Sequence, residues 1–283
     1  MVKAKFARGI EIKTDDQLLV MRRAGLVVAR ALREVRAAAR PGVTTHDLDQ
    51  IARDVLAAEG AGSSFLHYDI GHGIPPYPAV TCISVNDEVV HGIPGPRMLA
   101  DGDLVSVDFG AIVDGFHGDS AVSILVGDGV ADEVRTLSDD TRAAMWQGIG
   151  AARIGGTIGD ISWAIESFVR SRPTKYGIVA EYTGHGIGSA MHQPPDVPNL
   201  GRKGRGATIV RGMCLAIEPM LTLGRAATTV LDDDWTVVTS DSKVACHWEH
   251  TITVTKNGIW VLTAEDGGEE ELTKLGVRFG PLS

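Results

Sequence analysis

The chain has three cysteines in 283 residues, Cys82, Cys214 and Cys246, widely separated and without a Cys-x-x-Cys pair. That excludes a disulfide framework and a thiolate zinc site, and it points to a reducing compartment, here the cytoplasm. No apolar run approaches the ~20 residues that a membrane span needs. The opening MVKAKFARGIEIK carries positive charge with no apolar segment behind it, so no secretory signal is expected. Excess positive charge is missing too: 27 Lys and Arg stand against 36 Asp and Glu, for a net charge of -9. A specific nucleic-acid surface is therefore not expected. Lys3, Lys5, Arg8 and Lys13 read as a solvated, disordered N-terminal tail over residues 1–14, and the EDGGEEE stretch as a solvated acidic face. The remaining composition, 44% hydrophobic and 22% charged, is that of a soluble globular enzyme with a sizeable core.

What is present is written twice. TDDQLLVMRRAGLVVARALREVRAAARPG opens with Thr14 as a helix N-cap and Gln17 three residues on, and closes at Pro41-Gly42. TTHDLDQIARDVLAAEG then places Leu48, Ile51, Ala52, Val55 and Leu56 on one helical face. In the second half, SDDTRAAMWQGIGAARIGG predicts a capped helix beginning at Ser138. GDISWAIESFVRSRP sets Ile161, Ala164, Ile165, Phe168 and Val169 at the same offsets and stops at Pro173. The junctions align: Arg40-x-Gly42-x-Thr44-x-x-Asp47-Leu48 with Arg153-x-Gly155-x-Thr157-x-x-Asp160-Ile161. Strands rich in Val and Ile follow each helix pair. The expectation is an internally duplicated α+β fold of helix–helix–strands halves with pseudo-twofold symmetry. A single catalytic domain would span residues 15–283, with its halves at about 15–128 and 137–263.

The polar residues repeat with the frame. His-Gly-Ile occurs at His72, His91 and His185. His91 precedes Gly102, six residues before Asp108, and then His117-x-Asp119. His185 precedes Gly212, six residues before Glu218, and then His247-x-Glu249. His91 and His185 are thus a duplicated pair, and His72, without a counterpart, reads as an incidental loop residue. Asp108 lies in LVSVDFG and Glu218 in MCLAIEPM, both apolar strands. An isolated ionised carboxylate buried there costs several kcal/mol, so it must meet a cation or be neutral. Arg97 and Arg211, the nearest cations, precede these strands rather than lying in register with them. Buried salt bridges are one reading. The other is an oxygen-rich cluster of four strand carboxylates with the His185 imidazole, suited to a pair of divalent ions such as Mn, Fe, Co or Zn. Such ions, ~3.5–4 Å apart, perform metal-assisted hydrolysis.

Six blocks carry a more specific resemblance: NDEVVHGIPG, DGDLVSVDFG, DGFHGDSA, EYTGHGIGSAMHQPP, GMCLAIEPM and HWEHTITVT. In order and spacing they resemble the type I methionine aminopeptidases, from about Asp15 to Thr263. The resemblance implies the pita-bread fold, whose internal duplication agrees with the repeat. It also implies two divalent metal ions held by Asp108, Asp119, His185, Glu218 and Glu249, with Asp119 and Glu249 as bridging ligands. His91 and His192 match the family's two substrate-contacting histidines, and Glu218 its proton acceptor and donor. Tyr77, Cys82, Met191 and Trp235 match the pocket for the methionine side chain, where aromatic and sulfur groups suit a thioether. The implied activity is excision of the initiator methionine from nascent polypeptides whose second residue is small, by a monomer meeting its substrate at the ribosome.

Departures from the family pattern fall near the pocket. Met191 stands where the family commonly has Phe, Gln193 where an acidic residue is usual, and HYDIGHGIPPYPAV is longer than the usual stretch. They bear on pocket shape rather than on the metal ligands. The rival enzyme reading is an Xaa-Pro aminopeptidase or dipeptidase of the same fold. That class carries a large N-terminal domain, for which a first repeat beginning by Asp15 leaves no room. The rival from another class is a catalytically silent pita-bread binding module, and such proteins lose ligands that this chain keeps.

Overall fold

The computed structural model describes residues 9–71 and 73–282. Residues 1–8 and His72, with the expectations attached to them, lie outside the described residues. The first half runs α1 (Asp15–Ala38), α2 (Thr45–Glu59), β1 (Gly62–Ser63), β2 (Thr81–Val85), β3 (Glu88–Val90), β4 (Leu104–Val113) and β5 (Phe116–Leu125). After it come α3 (Asp132–Ala151), α4 (Ile158–Ser171), β6 (Gly177–Ile178), β7 (Gly184–Gly186) and β8 (Gln193–Val197). Then follow β9 (Cys214–Ile217), β10 (Met220–Thr222), β11 (Thr228–Val230), β12 (Val237–Thr239) and β13 (Ala245–His247). The last elements are β14 (His250–Thr255), β15 (Gly258–Val261) and α5 (Glu269–Lys274). No helix among them is long and apolar enough to cross a membrane.

The repeat seen in the sequence reappears in the backbone. Thr44 and Thr157 each close a capping box with the aspartate three residues on, Asp47 and Asp160, pairing two orphan donors at each helix start. The loop after each first helix pairs with a distant segment in the same way. Gly42 N–H donates to Leu99 O and Gly155 N–H to Ile209 O. Thr45 N–H donates to Arg97 O and Ile158 N–H to Ala207 O. Thr14 caps α1 with Gln17 as predicted. The second half departs at one helix: α3 begins at Asp132 with Ala131 as an N-cap that makes no side-chain bond. Ser138 lies inside that helix, buried, where its hydroxyl accepts from Trp248 Nε1 at 3.2 Å. The acidic Asp132 and Glu133 favour the helix N-terminus without a capping side chain.

Helix α1 lies across β5 with almost no side chain between. A Cβ at Gly25 would run into Leu262 O, and one at Gly118 would come within 2.8 Å of Gly25 N. The glycines let helix and sheet backbones approach. β4 and β5 form an antiparallel hairpin through Asp114 and Gly115, both at positive φ, the geometry a tight two-residue hairpin turn requires. β2 flanks β4, and the second-half sheet runs β15-β14-β9-β7-β8. The halves join where Glu249 N–H donates to Ala121 O at 2.9 Å and Ser123 Oγ donates to His247 O at 2.8 Å. Lys13 is not part of a solvated arm: it is 5% exposed, beside Glu11 and Gln193. Lys13 N–H donates to Gly212 O, which seats this segment against the second half.

One buried carboxylate ties the first helix pair to the site. Asp49 Oδ1 accepts from Val80 N–H, Thr81 N–H and Thr81 Oγ1, and its Oδ2 pairs with Arg53 at 2.6 Å. This fixes the entry to β2, between Tyr77 and Cys82. Asp49→Ala strands those donors and should lower stability by about 3–5 kcal/mol, whereas the exposed Gln50→Ala should be near neutral. Urea unfolding of both variants checks this, and equal midpoints would remove the anchor role.

Candidate active site

Strand alternation aims the carboxylates. In β4/β5 the register pairs Asp108 with Ala121 and Gly110 with Asp119, so Asp108 and Asp119 are diagonal neighbours on one face. In the second half β9 pairs with β14 through Ile217 and His250. One step further along that register, Glu218 and Glu249 come opposite each other just beyond the strand ends. The expectation that all four sit within strands is corrected here: Glu218 lies between β9 and β10, and Glu249 between β13 and β14. Pro219, which has no N–H to donate, marks the first break.

All eleven residues singled out for the site line one cavity of about 620 Å³: Asp108, Asp119, His185, Glu218, Glu249, His91, His192, Tyr77, Cys82, Met191 and Trp235. On its floor Asp119, His185 and Glu249 present ligand atoms within 4.8 Å of one another. His185 Nε2 lies 3.5 Å from Glu218 Oε1 and 3.8 Å from Asp119 Oδ2. Its Nδ1 is 3.0 Å from Gly186 O. A neutral imidazole bonded there donates from Nδ1 and leaves the Nε2 lone pair free toward the carboxylates, the orientation a metal-binding histidine uses.

The cluster is short of positive charge. Among the described residues, Asp108 Oδ1, Asp119 Oδ1, Glu249 Oε1 and His247 Nε2 are buried without a hydrogen-bond partner. Arg97 pairs with Glu88 and Arg211 with Asp15, so the salt-bridge reading of Asp108 and Glu218 finds no partner in either arginine. Burial pushes the Asp108 carboxyl up to about 7 and Glu218 up to about 8. Burial and then the neighbouring carboxylates hold Asp119 and Glu249 well above the carboxylate range. Burial, followed by His192, drives His185 down to about 3. Such a floor, acidic groups resisting ionisation around a free imidazole lone pair, is what divalent cations resolve.

His91 stands at the cavity wall with φ +60, an unusual conformation for a non-glycine residue and one concentrated at functional sites. Its ring meets Tyr182 and Trp235 edge-on, and burial lowers its pKa to about 4. Tyr77 Oη, 3.0 Å from Thr81 O and 2.9 Å from Gly92 O, offers its proton to two carbonyls and braces the residue after His91. Trp235 packs edge-on against Tyr77 at 5.1 Å.

Of the cavity residues that escaped the sequence reading, two make polar contacts with the site groups. His247 is 2% exposed, lines the floor and lies 3.6 Å from Glu218 Oε2. The repeated His-x-carboxylate spacing was its signal, but its counterpart His117 turns instead to Ser64 Oγ at 2.9 Å. Tyr68 is the second, with no sequence signal beyond its place in the longer loop.

The chain matches metallopeptidase family M24 over residues 20–256. It is 47% identical over 268 residues to methionine aminopeptidase 1 of Mycobacterium tuberculosis, covering 93% of this chain and 98% of that one. It belongs to the methionine aminopeptidases of family M24. The crystal structure of methionine aminopeptidase from Rickettsia prowazekii superposes with a TM-score of 0.85 at 37% identity, covering 90% of this chain and all of the other. The prolidase from Pyrococcus furiosus shares the fold alone, at a TM-score of 0.70 and 18% identity over 89% of this chain and 65% of that one. The fold is thus the pita-bread fold, and membership of M24 brings use of divalent metal, which the floor residues fit.

The metal-free protein carries a pH signature. Unfolded histidines are about nine-tenths neutral by about pH 7.5, one unit above their ordinary value, leaving the carboxylates in control from there upward. In the unfolded chain these release their protons near 4, whereas folded Asp108 and Glu218 hold theirs to about 7 and 8. Rising pH then favours the unfolded state by up to about 1.4 kcal/mol per retained proton per unit. Chelator-treated protein should lose thermal stability from about pH 7.5 to about 8.5, and added Mn or Co should restore it. A flat metal-free profile would contradict the charge-starved floor.

Proposed function

We propose that this metallo-aminopeptidase removes the initiator methionine from polypeptides whose second residue is small, using two divalent ions of the Mn, Fe, Co or Zn class. The observation that carries the reading is the floor of buried, partnerless carboxylate oxygens beside His185, beneath an apolar wall of Tyr77, Cys82, Met191 and Trp235. Asp108, Asp119, His185, Glu218 and Glu249 would hold the ions. Bound there, divalent cations supply Lewis acidity and a nucleophilic water at neutral pH.

The rest is done by the chain's own groups. Glu218, whose Oε1 stands 3.5 Å from His185 Nε2 in the cavity, accepts the proton of the attacking water and returns it to the departing amine. His192 donates to the oxygen on which negative charge develops, and His91 hydrogen-bonds the scissile amide. The wall takes an unbranched thioether side chain, sulfur against aromatic edges. Nascent polypeptide N-termini, met at the ribosome by a monomer in the cytoplasm, complete the proposed setting. The buried, unpaired thiols of Cys82, Cys214 and Cys246 support a reducing compartment.

His91→Ala should lower kcat by roughly 10²–10⁴ with metal content nearly intact, whereas His185→Ala should lose metal together with activity. Parallel metal analysis and kinetics separate the two, and equal metal loss would place His91 among the ligands.

Substrate choice follows from the wall. Met-Ala-Ser should be cleaved, Leu-Ala-Ser slowly, since one methylene discriminates by only about 1–3 kcal/mol. Lys-Ala-Ser should be refused, because its charge would be buried unpaired. Comparison of kcat/KM with that for Ala-Pro-Ala decides the class: preference for the proline peptide would transfer the chain to the prolidase-type activity.

A further inference from the structure

We infer that Tyr68 is a positioning residue that holds His192 in a single tautomer, its hydroxyl donating to Nδ1 so that the ring proton sits on Nε2. Tyr68 Oη lies 2.6 Å from His192 Nδ1, and the two rings meet edge-on at 5.2 Å. Among the described residues the hydroxyl has no other hydrogen-bond partner. Which atom donates follows from acidity: a phenol with pKa near 10 is a far stronger donor than a neutral imidazole N–H, and an imidazole nitrogen is the better acceptor. The hydrogen bond at one ring nitrogen selects the proton's place on the other.

The tyrosine is held where this requires. Tyr68 N–H donates to Phe65 O at 2.8 Å, Tyr77 N–H to Tyr68 O at 2.9 Å and His67 N–H to Tyr77 O at 2.8 Å, closing the base of the loop. The far end is pinned where Trp235 Nε1 donates to Pro75 O at 2.8 Å. The loop that lengthens this stretch beyond the family pattern is therefore tied to the cavity wall at Trp235 and to His192 through Tyr68. With Nδ1 engaged, Nε2 is the nitrogen left to serve the cavity that His192 lines, and as an N–H it can only donate. That is the state an oxyanion needs and the wrong state for a metal ligand or a base. The catalytic consequence rests on the peptidase reading, but the tautomer does not.

The test is a long-range 1H–15N spectrum of metal-free protein labelled with 15N-histidine, with His192 assigned by its disappearance in His192→Gln. The wild type should show a proton-bearing Nε2 and a bare Nδ1 for His192, and Tyr68→Phe should show both tautomers in exchange. In the metal-loaded enzyme Tyr68→Phe should lower kcat on Met-Ala-Ser by roughly 10-fold while KM stays nearly unchanged. A proton on Nδ1 in the wild type, or an unaltered His192 signal in Tyr68→Phe, would overturn the inference. Wild-type enzyme inactive on Met-Ala-Ser would defeat the peptidase reading and leave the spectrum to decide the role of Tyr68.

Discussion

Four carboxylates held together with no lysine or arginine paired to them among the described residues are the constraint on which the rest of this structure turns. Asp119 and Glu249 are almost wholly buried, and like charges so placed cannot all ionise unaided. The chain declines the obvious remedy. Its nearby arginines are spent elsewhere, Arg97 on Glu88 and Arg211 on Asp15. The compensation comes either from protons that the carboxyls retain or from a bound cation, so stability depends on pH and on what binds. Folding energy has to be found away from the floor, in the helix-on-sheet packing that Gly25 and Gly118 permit and in the two large apolar clusters behind the sheets.

Duplication explains how so hostile a cluster is assembled. Each half builds a helix pair with the same cap on its second helix, the same loop pairing and strands that bring two carboxylates to one point. The halves then diverge in how they deliver them. Asp108 and Asp119 ride on a continuous hairpin, aimed by alternation alone. Glu218 and Glu249 sit at breaks, where Pro219 and the Trp248–Glu249 pair interrupt the ladder. The longer glutamate side chains and the released backbone bring the second pair to the first without requiring the two sheets to be identical. The same divergence sends His247 to the cavity and leaves His117 with Ser64.

What was legible in the sequence was what local chemistry determines. The cap at Thr14, the matching junctions at Thr44 and Thr157, the apolar helix faces and the alternating strands all depend on neighbours a few residues away. Every residue singled out for the site lines one cavity: eight of the eleven lie in the blocks that carry the resemblance, and Tyr77, Cys82 and Trp235 lie outside them. What was illegible depended on distant partners. Ser138 looks like a cap until Trp248 is seen to use its hydroxyl within a helix that started earlier. Lys13 looks solvated until Glu11 and Gln193 close over it. Nothing local distinguishes His117 from His247, and Tyr68 acquires meaning only through a contact with a residue in the other half of the chain.

The cavity wall also shows why core and pocket cannot be told apart from residue type here. Tyr77, Cys82, Met191 and Trp235 belong to one buried apolar cluster while facing the cavity. Tyr77 is the link: its ring packs on Trp235 and its hydroxyl reaches the carbonyl of Gly92, next to His91. Gly92 in turn has no room for a side chain, since a Cβ there would strike Ile83 O. The proposed recognition wall and the His91 segment are thus one packed unit, and a side chain that displaces the wall must also move His91. In a close-packed interior a shift of that kind is transmitted rather than absorbed. On the proposed roles of the wall and of His91, selectivity for the first residue would be felt in the rate of the chemical step as well as in binding, because a poorly fitting side chain would leave His91 out of place.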